Sequence, residues 1–221
     1  MDPDRVDITH YSFDQFVEFL FSREVTNPDL DRDKPEPWYW HTEVIFDPAT
    51  ISDFYIKLFR EPEFLPQRFS NVQLDEAFWS IQVANLDCSV HRIIFDTDLP
   101  LAARTPCIDS MFPLFTKLFA TNPLDTAVFM WWDSLCYGWH CGNRSRDRGG
   151  EDIQLQDAFY ATLSQILFIE SEICQKAALH GLGHLHHPDT SILVDRYLQE
   201  HPALSEELRY YAIAAAQFKI R

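Results

Sequence analysis

The stretch from Glu172 to His187, EICQKAALHGLGHLHH, decides how the chain is read. Cys174, Ala178, Gly181, Leu182 and Leu185 fall along one narrow helical face, and most of them are small or aliphatic. His180, His184 and His187 recur at i, i+4 and i+7 on the opposite face, with His186 nearby. Pro188 stops this helix because it has no amide to continue the ladder. Asp189 or Thr190 can cap a following helix with an apolar side of Ile192, Leu193, Tyr197 and Leu198. His201-Pro202 breaks that segment in turn, and Ser205 opens a last helix.

Working back towards the N-terminus, Asp152 to Ile169 reads as a helix with Phe159, Leu163, Ile166 and Leu167 inward. It follows the clearest loop of the chain, Gly142 to Asp152 (GNRSRDRGGED), which is flanked by glycine and holds Arg144, Arg146 and Arg148. Val128, Trp131, Trp132, Leu135 and Trp139 form a broad, bulky stripe, as expected of a helix packed on more than one side. Asn122-Pro123 is expected to open that helix, and Ser110 to cap an earlier one carrying Leu114, Phe115, Leu118 and Phe119.

The first half, residues 1–109, has helix signals without a regular period. Ser12 with Gln15 and Ser70 with Gln73 are capping-box pairs, and Asp47-Pro48 is an N-cap followed by proline at the first helical position. Ile51, Phe54, Tyr55, Leu58 and Phe59 then keep the rhythm of one buried helix face. Cys88 to Phe95 (CSVHRIIF) is equally consistent with a short helix or a strand. Asn27 to Pro37 is charged and proline-interrupted, so it reads as a surface loop. Directly after it, Trp38, Tyr39, Trp40 and His41 form the densest aromatic group, which either pins that loop to the core or anchors a partner through Trp38 and Trp40.

A shift of 34 residues places Ala178 over Ala212, Leu179 over Ile213, Gly181 over Ala215 and Leu182 over Ala216. With its alanine, leucine and glycine run AALHGLGHL and the proline-aspartate turn before ILVDRYL, this part resembles the HEAT and armadillo-type helical repeats over about residues 152–221. It is also similar to bacterial proteins with an ALHGLGH core. The repeat resemblance implies paired helices stacked into an α-α superhelix, with second helices lining a concave binding face. The histidine side would then line a groove, with Lys176 on the same helix.

Composition narrows the function classes. The chain of 221 residues is 46% apolar and 14% aromatic, enough for a large core. Eighteen basic against thirty-four acidic residues leave a net charge of −16, which repels phosphate backbones and favours a basic protein partner over nucleic acid. The N-terminus MDPDRVD lacks the basic head and apolar run of a signal peptide, and no segment approaches about 20 unbroken apolar residues, so neither export nor membrane insertion is expected. Five scattered cysteines read as reduced thiols in a cytoplasm. Six glycines and no Asn-Gly or Asp-Gly hairpin turn argue against an all-β fold.

Catalytic signatures are missing from the sequence: it has no G-x-S-x-G elbow, P-loop or dinucleotide fingerprint. Histidines four residues apart can share a divalent metal, as in zinc-protease helices, but those carry a glutamate where this chain has Gly181. Cys136, His140 and Cys141 are a second, weaker ligand group. The expected protein is therefore all-α, with an irregular helical first half packed on a short HEAT-like stack over residues 110–221. The expected function is non-enzymatic binding of a basic partner, of the immunity or antitoxin type, on an acidic groove carrying His180, His184, His187 and Lys176, without a cofactor. A metal site at His180 and His184, serving a metal-binding protein or a metal-dependent hydrolase, is the alternative. Self-assembly through the last helix, with Tyr210, Ile213, Ala214, Phe218 and Ile220, is a further one.

Overall fold

A computed structural model of the chain describes residues 4–23, 36–122 and 124–220. The loop expected over residues 27–37 lies outside the described residues up to position 35, and so does Pro123, expected to open a helix. The protein is all-α, with two four-residue strands the exception among the described residues. It divides into two compact units, Met1–Cys107 and Ile108–Arg221.

In the first unit, β1 (Asp4–Asp7) pairs in parallel with β2 (Thr42–Ile45), Val6 opposite Val44. Between them in sequence, α1 (Phe13–Phe21) begins with the expected capping box, Ser12 accepting from the Gln15 amide and Gln15 from the Ser12 amide. Asp47 caps α2 (Pro48–Arg60) by accepting from the Thr50 amide at 2.9 Å, and Pro48 occupies its first position. A short 3₁₀ turn and α3 (Leu65–Arg68) lead to α4 (Asn71–Gln82), opened by the Ser70 and Gln73 capping box. The ambiguous segment resolves as α5 (Val90–Phe95), because the Ser89 hydroxyl accepts from the Arg92 amide and starts a helix there.

Phe16, Tyr55, Phe59 and Phe78 are completely buried in this unit's core, and the Tyr55 hydroxyl donates to the Cys88 carbonyl at 2.7 Å. The aromatic group is divided in its roles. Trp38 packs edge-on against Phe19 beneath the Arg23 guanidinium and Tyr39 is buried, whereas Trp40 stays 52% exposed.

Helix α6 (Leu101–Asp109) carries the chain into the second unit, where α7 (Met111–Leu114) continues as a π-helical turn over Phe115–Phe119. Then follow α8 (Asp125–Phe129), α9 (Trp131–His140), α10 (Glu151–Ile166), α11 (Glu172–Leu185), α12 (Thr190–Glu200) and α13 (Glu206–Ala216). The Arg-rich loop is tied down. Arg144 pairs with Asp152 at 2.8 Å and Arg146 with Asp157 at 2.5 Å, both acids on α10.

Helix α11 is the hub of this unit, packed by α8, α9, α10 and α13. Only Glu172, Ile173 and Lys176 of its residues escape burial. Its glycines explain the close packing. A methyl group on Gly181 would stand 2.7 Å from Cβ of Trp132 and 2.8 Å from Cδ2 of Leu163, and one on Gly183 would stand 2.3 Å from Cγ1 of Ile220. The face read as an exposed, groove-lining side is therefore corrected. His180 and His184 are each only 3% exposed, because helices cover α11 on both sides. Helices α11 and α13, related by the 34-residue shift, pack on each other but differ in environment. Among its residues α13 buries Leu208, Ala212 and Ala215, and leaves Tyr210 76% and Ile213 42% exposed. Lys176 is held between Glu172 and Glu207, at 3.1 Å from each.

Candidate metal centre

Helix α9 enters the unit through Trp131 and Trp132, both fully buried, and the missing side chain at Gly181 lets it lie directly against α11. Asp133, the next residue, is thereby carried to the two histidines that stand one turn apart on α11. Three ligand atoms converge there. Nε2 of His184 lies 3.1 Å from Nε2 of His180, and Oδ1 of Asp133 lies 3.4 Å from the first imidazole, at His180, and 3.3 Å from the second, at His184. These three residues form the metal-competent cluster found among the described residues.

The triangle has the right size for an ion at its centre. Ligands at about 2.0–2.1 Å from a tetrahedral ion are separated by about 3.3–3.4 Å, and cis ligands of an octahedral ion at the same radius by about 2.8–3.0 Å. Hydrogen bonding alone satisfies the cluster poorly. A proton on one Nε2 can be shared with the other ring or with Asp133, but the two Nε2–H groups cannot both point inward without facing each other. A cation accepts lone pairs from all three atoms together.

The surroundings fix these orientations. Nδ1 of His180 is 2.7 Å from the Tyr211 hydroxyl. With its proton on that side, His180 presents the Nε2 lone pair to the triangle, as an outer hydrogen bond does for a ligating imidazole. Phe129 lies against the His180 ring, and Tyr137 and His140 meet the His184 ring edge-on. The His180 and His184 imidazoles beside it hold the Asp133 carboxyl well below the usual carboxylate range. Its side chain is 36% exposed, which leaves the triangle one side open to solvent.

The other histidines have separate environments. Helix α11 ends at Leu185, with His186 in the left-handed conformation at φ 54°, so His187 is not on the helical face expected of it. It stacks on Tyr160 with ring centroids 3.9 Å apart, accepts the Asp189 amide on Nδ1 and donates from Nε2 to Asp157. Nε2 of His186 faces Nδ1 of His140 at 3.2 Å. Burial lowers the pKa of both His140 and His186, and neighbouring imidazoles add to the effect. Cys136 is buried and Cys141 exposed, so the Cys136, His140 and Cys141 group does not assemble; all five cysteines are free thiols.

Sequence reasoning paired His180 with His184 but missed Asp133 and Tyr211. Asp133 and His140 stand seven residues apart on WWDSLCYGWH, on one helix face, and that spacing was the available signal. Among the described residues, no helix is long and apolar enough to cross a membrane. Comparison of the chain with protein-family models, with curated proteins and with solved structures returned no match.

Proposed function

We propose that the second unit is a divalent-cation module in which Asp133, His180 and His184 hold one transition-metal ion. The observation that carries this reading is the triangle of donor atoms, two on buried histidines and one on a partly exposed aspartate, with edges of 3.1, 3.3 and 3.4 Å. Two imidazoles and one carboxylate suit zinc or ferrous iron rather than calcium or magnesium, which take mostly oxygen ligands. Three protein ligands with an open position match the pattern of catalytic and exchangeable sites, whereas structural zinc is closed by four.

A hydrolase of the zinc-protease kind is not favoured. At Gly181, where those helices place a glutamate base, Trp132 and Leu163 leave no room for any side chain. The module is therefore read as binding an ion and presenting it to a further ligand.

The test is titration of metal-free protein with zinc by calorimetry, together with metal analysis of protein as isolated. One ion per chain is expected, and Asp133→Asn, His180→Ala and His184→Ala should each abolish uptake in protein that stays folded by circular dichroism. Uptake unchanged in all three variants would overturn the reading.

A second reading rests on the net charge of −16 and the half-exposed Trp40. In it a basic protein partner docks on surface carboxylates, without the buried histidines. Binding of such a partner should weaken steeply between low and physiological salt, and a salt-independent complex would exclude it.

A further inference from the structure

A cavity of about 910 Å³ lies on the far side of two residues that touch the metal triangle. Its walls are His140, Tyr210, Tyr211, Ile213, Ala214, Gln217, Lys219 and Ile220. Tyr211 bonds His180 at 2.7 Å and the His140 ring lies 4.7 Å from that of His184, so cavity and triangle share a wall one side chain thick.

The chemistry of the walls selects an occupant. Ile213, Ala214, Ile220 and the two tyrosine rings supply an apolar body. Among the described residues no carboxylate lines the cavity, although acids outnumber bases thirty-four to eighteen in the chain. Lys219, an exposed residue, brings a positive charge to the rim, and its ammonium bonds the neutral Gln217 Oε1 at 2.9 Å. Its position is set by structure, not by a loose tail. Ile220 is buried against Gly183, and Phe218, at φ 56°, stacks on His186. A half-open apolar groove with an ammonium at its rim suits a small amphipathic ligand.

We infer that this cavity binds a small carboxylate with an apolar body: the carboxylate at Lys219, the body along Ile213, Ala214 and Ile220, and the far end against Tyr211 and His140. The inference rests on the cavity's own walls and deepens the metal reading by naming the class of molecule held beside the ion. Amines of the same shape are disfavoured, because the acidic surface would attract them to many sites but Lys219 repels them from this one.

The experiment uses octanoate, octylamine and octanol as probes on the full chain, with zinc and without, followed by calorimetry at low and moderate salt. Octanoate is expected to bind at one site about tenfold more tightly than octylamine or octanol, consistent with one charge-assisted contact. Lys219→Gln should remove most of that preference, and Ile213→Asp, at a half-exposed position, should remove octanoate binding while leaving the fold intact by circular dichroism. Equal binding of the three probes, no binding of octanoate, or an undiminished preference in Lys219→Gln would each overturn the inference. Zinc uptake is measured separately. Octanoate binding without zinc uptake overturns the metal reading alone, and zinc uptake without octanoate binding overturns the cavity assignment alone.

Discussion

His180 with His184, and His187 a few residues later, face aspartates from two ends of the same segment, all three nearly buried at 3, 3 and 5% exposure. At the first end the atoms converge: two Nε2 and one Oδ1 stand within 3.4 Å of one another, and Nδ1 of His184 is buried without a hydrogen-bond partner. At the second every polar atom of the ring has a conventional partner. The Asp189 amide fills Nδ1 and Asp157 accepts from Nε2, while Arg146 completes Asp157. A buried histidine beside an aspartate is thus not a ligand set in itself; what separates the two is whether lone pairs meet or hydrogen bonds pair off.

The largest effect that can break this contrast is ligand stabilisation. Zinc at about a thousand times its Kd should stabilise the second unit by about 4 kcal/mol. His180→Ala and His184→Ala should lose this increment in urea unfolding with and without zinc, whereas His187→Ala keeps it. A zinc increment that disappears in His187→Ala would erase the distinction.

Next comes Gly181→Ala. A methyl 2.7 Å from Trp132 must push α9 away, at about 1–3 kcal/mol for an overpacked core. The same movement withdraws Asp133 from the histidines, so zinc affinity should fall with stability. His187→Ala should destabilise by a similar or smaller amount, about 1–2 kcal/mol, as it leaves part of the Asp157 bonding unmet, yet leave zinc affinity unchanged. Both are read by denaturation paired with metal titration.

Tyr211→Phe sharpens the first site further. Loss of the partner to Nδ1 of His180 should reduce zinc affinity about tenfold, the lower end for an outer hydrogen bond to a ligand, with little change in unfolding free energy.

The smallest expected effect is a pH slope. Burial pushes the His187 imidazole down, partly offset by Asp157, so the folded protein binds its proton less readily than the unfolded chain. Its contribution to stability is therefore complete above the unfolded value of about 6.5 and declines as pH falls towards the lowered folded value. Urea midpoints of zinc-free protein between pH 7 and 5 should fall more steeply in the parent than in His187→Gln. A parallel pair of curves would show that His187 stays proton-indifferent.

Local signals carried much of the fold. Ser12, Asp47, Ser70 and Ser205 all cap helices as their side chains suggested, because a capping oxygen acts on amides within a few residues and needs nothing distant. The strands were invisible for the opposite reason. DRVD and TEVI are four residues each with no alternation to speak of, and their pairing, Val6 with Val44, depends on chain 38 positions away. The histidine face was read as exposed because polarity usually means solvent. Here α9 and α13 cover it, and Asp133 and Tyr211, which stand 47 and 31 residues from His180, meet the ring nitrogens of His180, while Nδ1 of His184 has no hydrogen-bond partner. His187 was placed on the helix because spacing continues past Leu185, whereas the left-handed turn at His186 redirects it.

The position of α11 at the centre of four neighbours has a consequence for measurement. Amides in Cys174–Leu185 are covered by α8, α9, α10 and α13 together, so their hydrogen bonds can open to solvent only when the whole second unit opens. Deuterium uptake there should follow the unit's global unfolding free energy, while the more exposed α12 and α13 exchange through smaller fluctuations. An ion seated between α9 and α11 would accordingly slow exchange throughout the core and not only beside its ligands, turning a three-residue contact into a protection pattern read across an entire folding unit.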